Sequence, residues 1–278
     1  TPTSQRCGFV AIIGAPNAGK STLVNRLVGT KVSIVTQKVQ TTRFPVRGIA
    51  IDGDVQMVLV DTPGIFKPRR RLDRAMVRSA WSGAEDADTI VLLVDAAAQV
   101  AVMGGGNAPT PADRKAVEDV ESIVEGLQKS GAKAILALNK IDLLKRENLL
   151  AVADGLFKTG VFSDVLMISA DKGQGVADLS RMLAARMPDG PWLYPEDQAA
   201  DAPVRILAAE ITREKLFLRV HEELPYAAAV VTTDFTDKPD GSARIEQTIF
   251  VERDSQRSIV LGKKWLDIGY NPKDVWSV

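Results

Sequence analysis

Gly14-Ala15-Pro16-Asn17-Ala18-Gly19-Lys20-Ser21 lies between the apolar run Phe9–Ile13 and the amphipathic stretch Lys20–Val28, and its reading decides the fold. It is a complete G-x-x-x-x-G-K-S loop with a strand pattern before it and a helix pattern after it. Glycines let several backbone N–H groups point at one anion, and the following helix N-terminus adds its positive end. Lys20 is placed to reach the β- and γ-phosphates of a nucleotide, and the Ser21 hydroxyl to hold magnesium. With ordinary residue frequencies such a match arises by chance in roughly one chain in a hundred. The sequence therefore predicts a phosphate site spanning Gly14 to Ser21 and the adjoining Thr22.

The surroundings of the loop repeat its pattern. Phe9–Ile13, Val46–Ile51, Val55–Val60, Thr89–Val94, Ala134–Leu138 and Val165–Ile168 read as strands. Lys20–Val28, Leu72–Ser82, Ala112–Lys129, Glu147–Phe157 and Val176–Met187 read as helices. This alternation predicts an α/β domain with a mostly parallel sheet, because parallel neighbours need crossover helices. Asp52-Gly53-Asp54 is too short for a crossover, so it predicts a hairpin and one antiparallel strand in a sheet of six. Val102 to Pro111, with Gly104-Gly105-Gly106, reads as a surface loop, with a partner-binding insertion as the alternative. Residues 1–190 are thus expected to form the first domain, 191–202 a proline-rich linker and 203–278 a small α+β domain. In the last, Ala208–Leu218 reads as a helix, and Ala227–Phe235 and Arg244–Val251 as strands around a Pro239-Asp240-Gly241 turn.

Composition narrows the class. The 278 residues carry 35 basic and 35 acidic side chains, so net charge announces no nucleic-acid partner. No apolar run approaches the roughly 18 residues of a membrane helix. Phe9–Ile13 runs into the glycine loop without a cleavage site, unlike a signal peptide. The single cysteine, Cys7, fits a reducing, cytoplasmic setting, and the single histidine leaves almost no material for a zinc site or a Ser-His-Asp triad. That histidine, His221, beside Glu222 and Glu223, reads as a surface or helix-end residue.

Three further motifs stand at predicted strand ends. Asp61-Thr62-Pro63-Gly64 follows Val55–Val60, so that Asp61 can organise magnesium and the Gly64 N–H can meet a γ-phosphate. Asn139-Lys140-Ile141-Asp142 follows Ala134–Leu138. There the Asp142 carboxylate can accept two hydrogen bonds from the guanine N1–H and exocyclic amine, which adenine cannot supply, with Asn139 and Lys140 bracing the site. Ser169-Ala170, after the next strand, can complete the pocket through a backbone N–H to the guanine oxygen. D-x-x-G alone is a weak signal, but four elements in this order at strand ends predict a guanine-nucleotide domain. An ATP-using alternative leaves N-K-I-D without a role. Between the first two motifs, the polar stretch Thr36–Arg43 reads as a loop in which Thr42, rather than Thr41, ligates magnesium only when a γ-phosphate is present. That makes it a switch.

The runs Gly14–Gly29, Gln40-Thr41-Thr42-Arg43, D-T-P-G and N-K-I-D resemble the TrmE–Era–EngA group of translation-factor-class GTPases. Ala209–Lys215, Glu223–Tyr226 and Ile249–Arg253 resemble the start of the C-terminal KH domain of the Era family, so the resemblance covers nearly the whole chain. It implies a P-loop GTPase domain followed by a KH-type RNA-binding domain. It also implies a GTP/GDP switch that binds the 3′ end of 16S ribosomal RNA and assists maturation of the small ribosomal subunit. Lys20, Ser21, Thr42 and Asp61 would form the phosphate and Mg2+ site, with Lys20, Thr42 and Gly64 serving hydrolysis. Asn17 matches an asparagine that ligates K+ in related members, where the cation does what an arginine finger does elsewhere. A monomer is implied, and any inner-membrane association would be peripheral.

Some residues depart from the pattern. Ile65 stands where Ras-like GTPases place a water-orienting glutamine, which predicts slow intrinsic hydrolysis. Lys67-Pro68-Arg69-Arg70-Arg71 reads as a solvated basic loop, or as a sensor of RNA or of the second domain. Ser258–Lys264 resembles the lead into the RNA-gripping G-x-x-G loop. The next residues, Trp265–Tyr270, resemble the family's C-terminus, so the second glycine, the following helices and a strand have no counterpart and the KH-type domain reads as incomplete. Removing two helices would empty a small core, which favours a chain joined from discontinuous segments over a true deletion. Residues 203–278 hold 11 basic against 12 acidic side chains, not the basic patch of a nucleic-acid binder. A switch acting through protein partners, without RNA, is the second function class.

Overall fold

In this computed structural model, residues 5–33, 46–65, 71–105, 108–200, 204–219, 229–238 and 242–251 are described, and they divide into two compact units, one ending at 200 and one starting at 204. The first unit contains β1 (Arg6–Ile13), α1 (Lys20–Val28), β2 (Val46–Asp52), β3 (Val55–Asp61), α2 (Arg71–Glu85), β4 (Thr89–Asp95) and α3 (Ala96–Val102). It continues through α4 (Pro111–Ser130), β5 (Ala134–Asn139), a 3-10 turn (Ile141–Leu143), α5 (Arg146–Phe157), β6 (Phe162–Met167) and α6 (Val176–Arg186). The six strands run in the order β2-β3-β1-β4-β5-β6, parallel except for β2, which is antiparallel to β3.

The inner strands are continuous apolar runs because helices cover both faces of a parallel sheet. Every residue of β3 and of β5 is buried, and Ile12, Leu59, Leu92 and Leu136 are fully enclosed. Helix α4 begins at a reciprocal cap: the Thr110 hydroxyl accepts the Asp113 N–H at 3.2 Å and the Asp113 carboxylate accepts the Thr110 N–H at 2.8 Å. The Thr110 hydroxyl also donates to the Asp113 carboxylate at 2.7 Å, and that bond, with the one from the Thr110 N–H, holds the Asp113 carboxyl below its ordinary pKa.

Two features differ from the sequence expectation. Helix α3 occupies Ala96–Val102, where no helix was expected, because Asp95 caps it by accepting the N–H groups of Ala97 and Ala98. The expected linker is bonded to the first unit through residue 200. The Cys7 N–H donates to the Pro188 carbonyl, the Ile49 N–H to the Ala199 carbonyl, and Gly48 bridges to Ala200. Fully buried Gln56 accepts the N–H groups of Leu193 (2.9 Å) and Tyr194 (3.0 Å) and donates to the Tyr194 carbonyl (2.8 Å). Residues 188–200 therefore form a strap bonded to β1 at Pro188, to Gln56 of β3 at Leu193 and Tyr194, and to the free edge of β2 at Ala199 and Ala200.

The second unit contains α7 (Val204–Arg219) and the antiparallel pair β7 (Ala229–Asp237) and β8 (Ala243–Phe250). Leu216 is buried against Val230, Ile249 and Val251. The Thr212 hydroxyl donates to Gln247 at 2.6 Å, and Gln247 donates on to Thr232 at 3.1 Å, tying the helix to both strands. Thr36–Arg43 with Thr41 and Thr42, Lys67–Arg70, His221, Glu223–Tyr226, Pro239–Gly241, Ser258–Lys264 and Trp265–Tyr270 lie outside the described residues. Among the described residues, no helix is long and apolar enough to cross a membrane.

Candidate nucleotide site

The glycine loop joins β1 to α1 as its spacing predicts. Asn17 turns it with a left-handed backbone (φ 62°), and Gly19 leaves it at φ 100°. A Cβ on Gly19 would lie 2.4 Å from the Asn139 amide nitrogen, so a glycine is required where the base-reading motif meets the loop. The Asn139 amide donates to the Ala18 carbonyl at 2.8 Å, and its oxygen accepts the Ala170 N–H at 2.9 Å. One buried side chain thus fastens the phosphate loop, the N-K-I-D turn and the Ser169-Ala170 loop together.

The Asp61 motif meets the loop from the other side. In the β1–β3 register Asp61 pairs with Ile12, two residues before Gly14. The Thr62 hydroxyl donates to the Ile12 carbonyl (2.8 Å), and the Ile65 N–H to the Gly14 carbonyl (3.1 Å). Pro63 leads into Gly64, whose Cβ, if it had one, would stand 2.9 Å from the backbone nitrogen of Pro16. This close approach sets the Gly64 N–H beside the loop that cradles phosphate.

Lys20 and Asp61 give the site its electrostatics. The Lys20 ammonium is buried and donates to the carbonyls of Gly14 (3.1 Å) and Ala15 (2.9 Å). Burial lowers its pKa from 10.5 to about 8, against the opposing pull of the Asp61 carboxylate. Asp61 is itself wholly enclosed. A buried carboxylate at the end of β3 and a serine hydroxyl on the first turn of α1 make an oxygen donor set that suits Mg2+. That ion is usually held by one or two carboxylates plus substrate phosphates, not by an all-protein cage. Among the described residues no cluster of three or more His, Cys, Asp or Glu able to hold a metal occurs. Ser21 and Asp61 would hold the ion, whose charge would neutralise phosphate oxygens.

On the base side, Lys140 takes a left-handed backbone (φ 67°) and pairs with Asp95 at 2.5 Å. The Ile141 N–H reaches the Ile168 carbonyl, and Asp142 is exposed at the sheet's C-terminal rim. The backbone donors of Ser169 and Ala170, expected to serve the guanine oxygen, are engaged within the protein. Ser169 N–H goes to the Gln174 carbonyl at 2.9 Å and Ala170 N–H to Asn139. Two residues escaped the sequence reading. Asp95 was legible as an aspartate ending a strand before an alanine run, a capping position. Arg26 carried no signal, because its partners, the carbonyls of Ala170 and Asp171, lie far along the chain.

A six-stranded sheet with one antiparallel edge, a phosphate loop, Asp61 beside it and the N-K-I-D turn fastened to the same loop define a P-loop GTPase. A family model described as a 50S ribosome-binding GTPase matches residues 9–140. GTPase Era of Caulobacter vibrioides NA1000 is 65% identical over 271 residues, which cover 96% of this chain and 85% of that protein. The chain belongs to the Era family of GTPases, enzymes that hydrolyse GTP to GDP and phosphate. GTPase Era of Agrobacterium fabrum C58 is 58% identical over 258 residues, covering 93% of this chain and 76% of the relative. Among solved structures, Era in complex with MgGDPNP and nucleotides 1506–1542 of 16S ribosomal RNA superposes with a TM-score of 0.82. It is 34% identical and covers 97% of this chain and 88% of that one. A single-residue variant of Aquifex aeolicus Era bound to GDP·AlF4⁻ gives the same TM-score and identity, covering 98% and 86%.

Proposed function

We propose that this GTPase is a nucleotide-controlled RNA-binding switch that grips the 3′ end of 16S ribosomal RNA during small-subunit assembly. The observation that carries the reading is the likeness to the RNA-bound Era complex along almost the entire chain, second unit included. The α7–β7–β8 unit supplies a helix locked onto a hairpin, a framework on which a KH-type RNA grip is built. In this reading residues 1–190 carry the GTPase and 203–278 the RNA-binding part, in a monomeric cytoplasmic protein. Any association with the inner membrane is peripheral.

Within the site, Lys20 and the Gly64 N–H bear on the γ-phosphate, Thr42 joins Ser21 and Asp61 at Mg2+, and Asp142 reads guanine. Asn17, exposed in the loop with a left-handed backbone, is assigned to a K+ that steadies charge on the transferred phosphate. Hydrolysis should then be faster in potassium than in sodium, and Asn17→Ala should erase the difference.

Fluorescence anisotropy with a labelled 16S 3′-end oligonucleotide tests the RNA reading, with the protein loaded with GDP or with GDPNP. Tighter binding with GDPNP is expected. No binding in either state, with nucleotide still held, would reject RNA recognition and leave a switch that acts through protein partners.

A further inference from the structure

Four of the five backbone N–H groups in the loop Ser169–Gly173 are used inside the protein. Ser169 N–H goes to the Gln174 carbonyl, Ala170 N–H to Asn139, Lys172 N–H to the Ser169 hydroxyl (3.1 Å) and Gly173 N–H to the Ser169 carbonyl (2.7 Å). The Asp171 N–H is the one that no group among the described residues takes up. Its peptide plane is not loose. Arg26 Nε donates to the Ala170 carbonyl at 3.2 Å, and the Arg26 guanidinium also donates to the Asp171 carbonyl. In a trans peptide the C=O of one residue and the N–H of the next point in opposite directions. Holding the Ala170 carbonyl therefore aims the Asp171 N–H away from the guanidinium.

We propose that Arg26 is a positioning residue for base recognition, and that the donor it aims at the guanine oxygen is the Asp171 N–H, not that of Ser169 or Ala170. Arg26 sits in the last turn of α1, the helix whose first residue is Lys20. The clamp therefore makes the base-reading loop and the phosphate loop one rigid body: a nucleotide whose phosphates are seated has its oxygen-reading donor already in place. The guanidinium suits the task because its donors form a rigid planar fork that fixes the orientation of the two carbonyls it holds, whereas a lysine ammonium is a point charge on a flexible stem. This inference rests on guanine binding at the site and extends it to a residue that none of the phosphate, magnesium or base assignments uses.

The test compares GDP with 6-thio-GDP, in which sulfur, a poor acceptor, replaces the guanine oxygen while N1–H and the exocyclic amine remain. Wild type should prefer GDP, which checks guanine reading independently of Arg26. Arg26→Ala should weaken GDP about tenfold, as expected for a misaimed hydrogen bond, and 6-thio-GDP less than about twofold, so that the preference collapses. Arg26→Lys, which keeps the charge but loses the rigid fork, should fall between, and it carries the comparison if Arg26→Ala does not fold. Equal weakening of both nucleotides would show that Arg26 only supports the fold, and unchanged binding of both would show that it does nothing here; either result overturns the proposal.

Discussion

Proton uptake on nucleotide binding follows from the burial of Lys20. In the free protein its pKa lies at about 8 because the ammonium is enclosed, with only the Asp61 carboxylate opposing that cost. A bound di- or triphosphate puts negative charge against the ammonium and restores the charged form to higher pH. Above pH 8 the free protein has lost this proton and the complex keeps it, so binding takes up a proton and affinity falls as pH rises. Well below pH 8 both states are charged and the linkage disappears. For a single group of this pKa, uptake is about 0.25 proton at pH 7.5 and about 0.75 at pH 8.5, with affinity falling about threefold between them. Titration calorimetry of GDP binding in two buffers of different ionisation enthalpy reads the uptake directly, within a window below the dissociation of the guanine N1–H. Stability of the free protein moves oppositely. An unfolded lysine titrates near 10.5, so the buried charge costs stability below pH 8, and the cost, about 3 kcal/mol, is relieved as pH climbs from 8 towards 10.5. Buffer-independent binding heats and a flat affinity from pH 7.5 to 8.5 would refute this account of Lys20.

Three further outcomes follow from the same geometry. Gly64→Ala should slow hydrolysis at least tenfold while GDP binding changes little, because its Cβ would press on Pro16 where the γ-phosphate is met; single-turnover kinetics beside GDP titration separates the two. Ile65 is 3% exposed within the core, so Ile65→Ala should cost about 2–4 kcal/mol in denaturant unfolding yet leave single-turnover hydrolysis largely intact. Loss of hydrolysis with binding intact would mean that this side chain positions the attacking water after all. Gln56→Leu removes three hydrogen bonds to the strap and should cost about 2 kcal/mol, with cleavage by limited proteolysis appearing between residues 188 and 200.

Local chemistry made much of this molecule legible in its sequence. The glycine loop fixed strand, turn and helix together, and Lys20–Val28 is the helix observed. The buried strands announced themselves as short apolar runs, and Asp52-Gly53-Asp54 marked the antiparallel edge. Harder to see were features that depend on distant partners. Strand β6 begins at Phe162 rather than Val165 because its first residues pair with β5 despite the polar Ser163 and Asp164. The strap is held by Gln56, which interrupts an apolar strand and carries no local sign of its role. Within the site, Asn139 and Asp61 stand beside the loop, at the strand ends where their motifs lie. The choice of backbone donor around Ser169, however, depended on Arg26 and Asn139, whose bonds to this loop span 144 and 31 residues.

The central claim is that four separated motifs close into one guanine-nucleotide site read by Asp142, and a specificity swap tests it most directly. Asp142→Asn replaces a double acceptor by an amide that can donate to the 2-oxo group of xanthine. Hydrolysis of GTP and XTP should be measured on both proteins with Mg2+. Wild type should turn over GTP at least 100-fold better than XTP by kcat/KM, and the variant should reverse the preference. An Asp142→Asn protein that keeps its preference for GTP would contradict it.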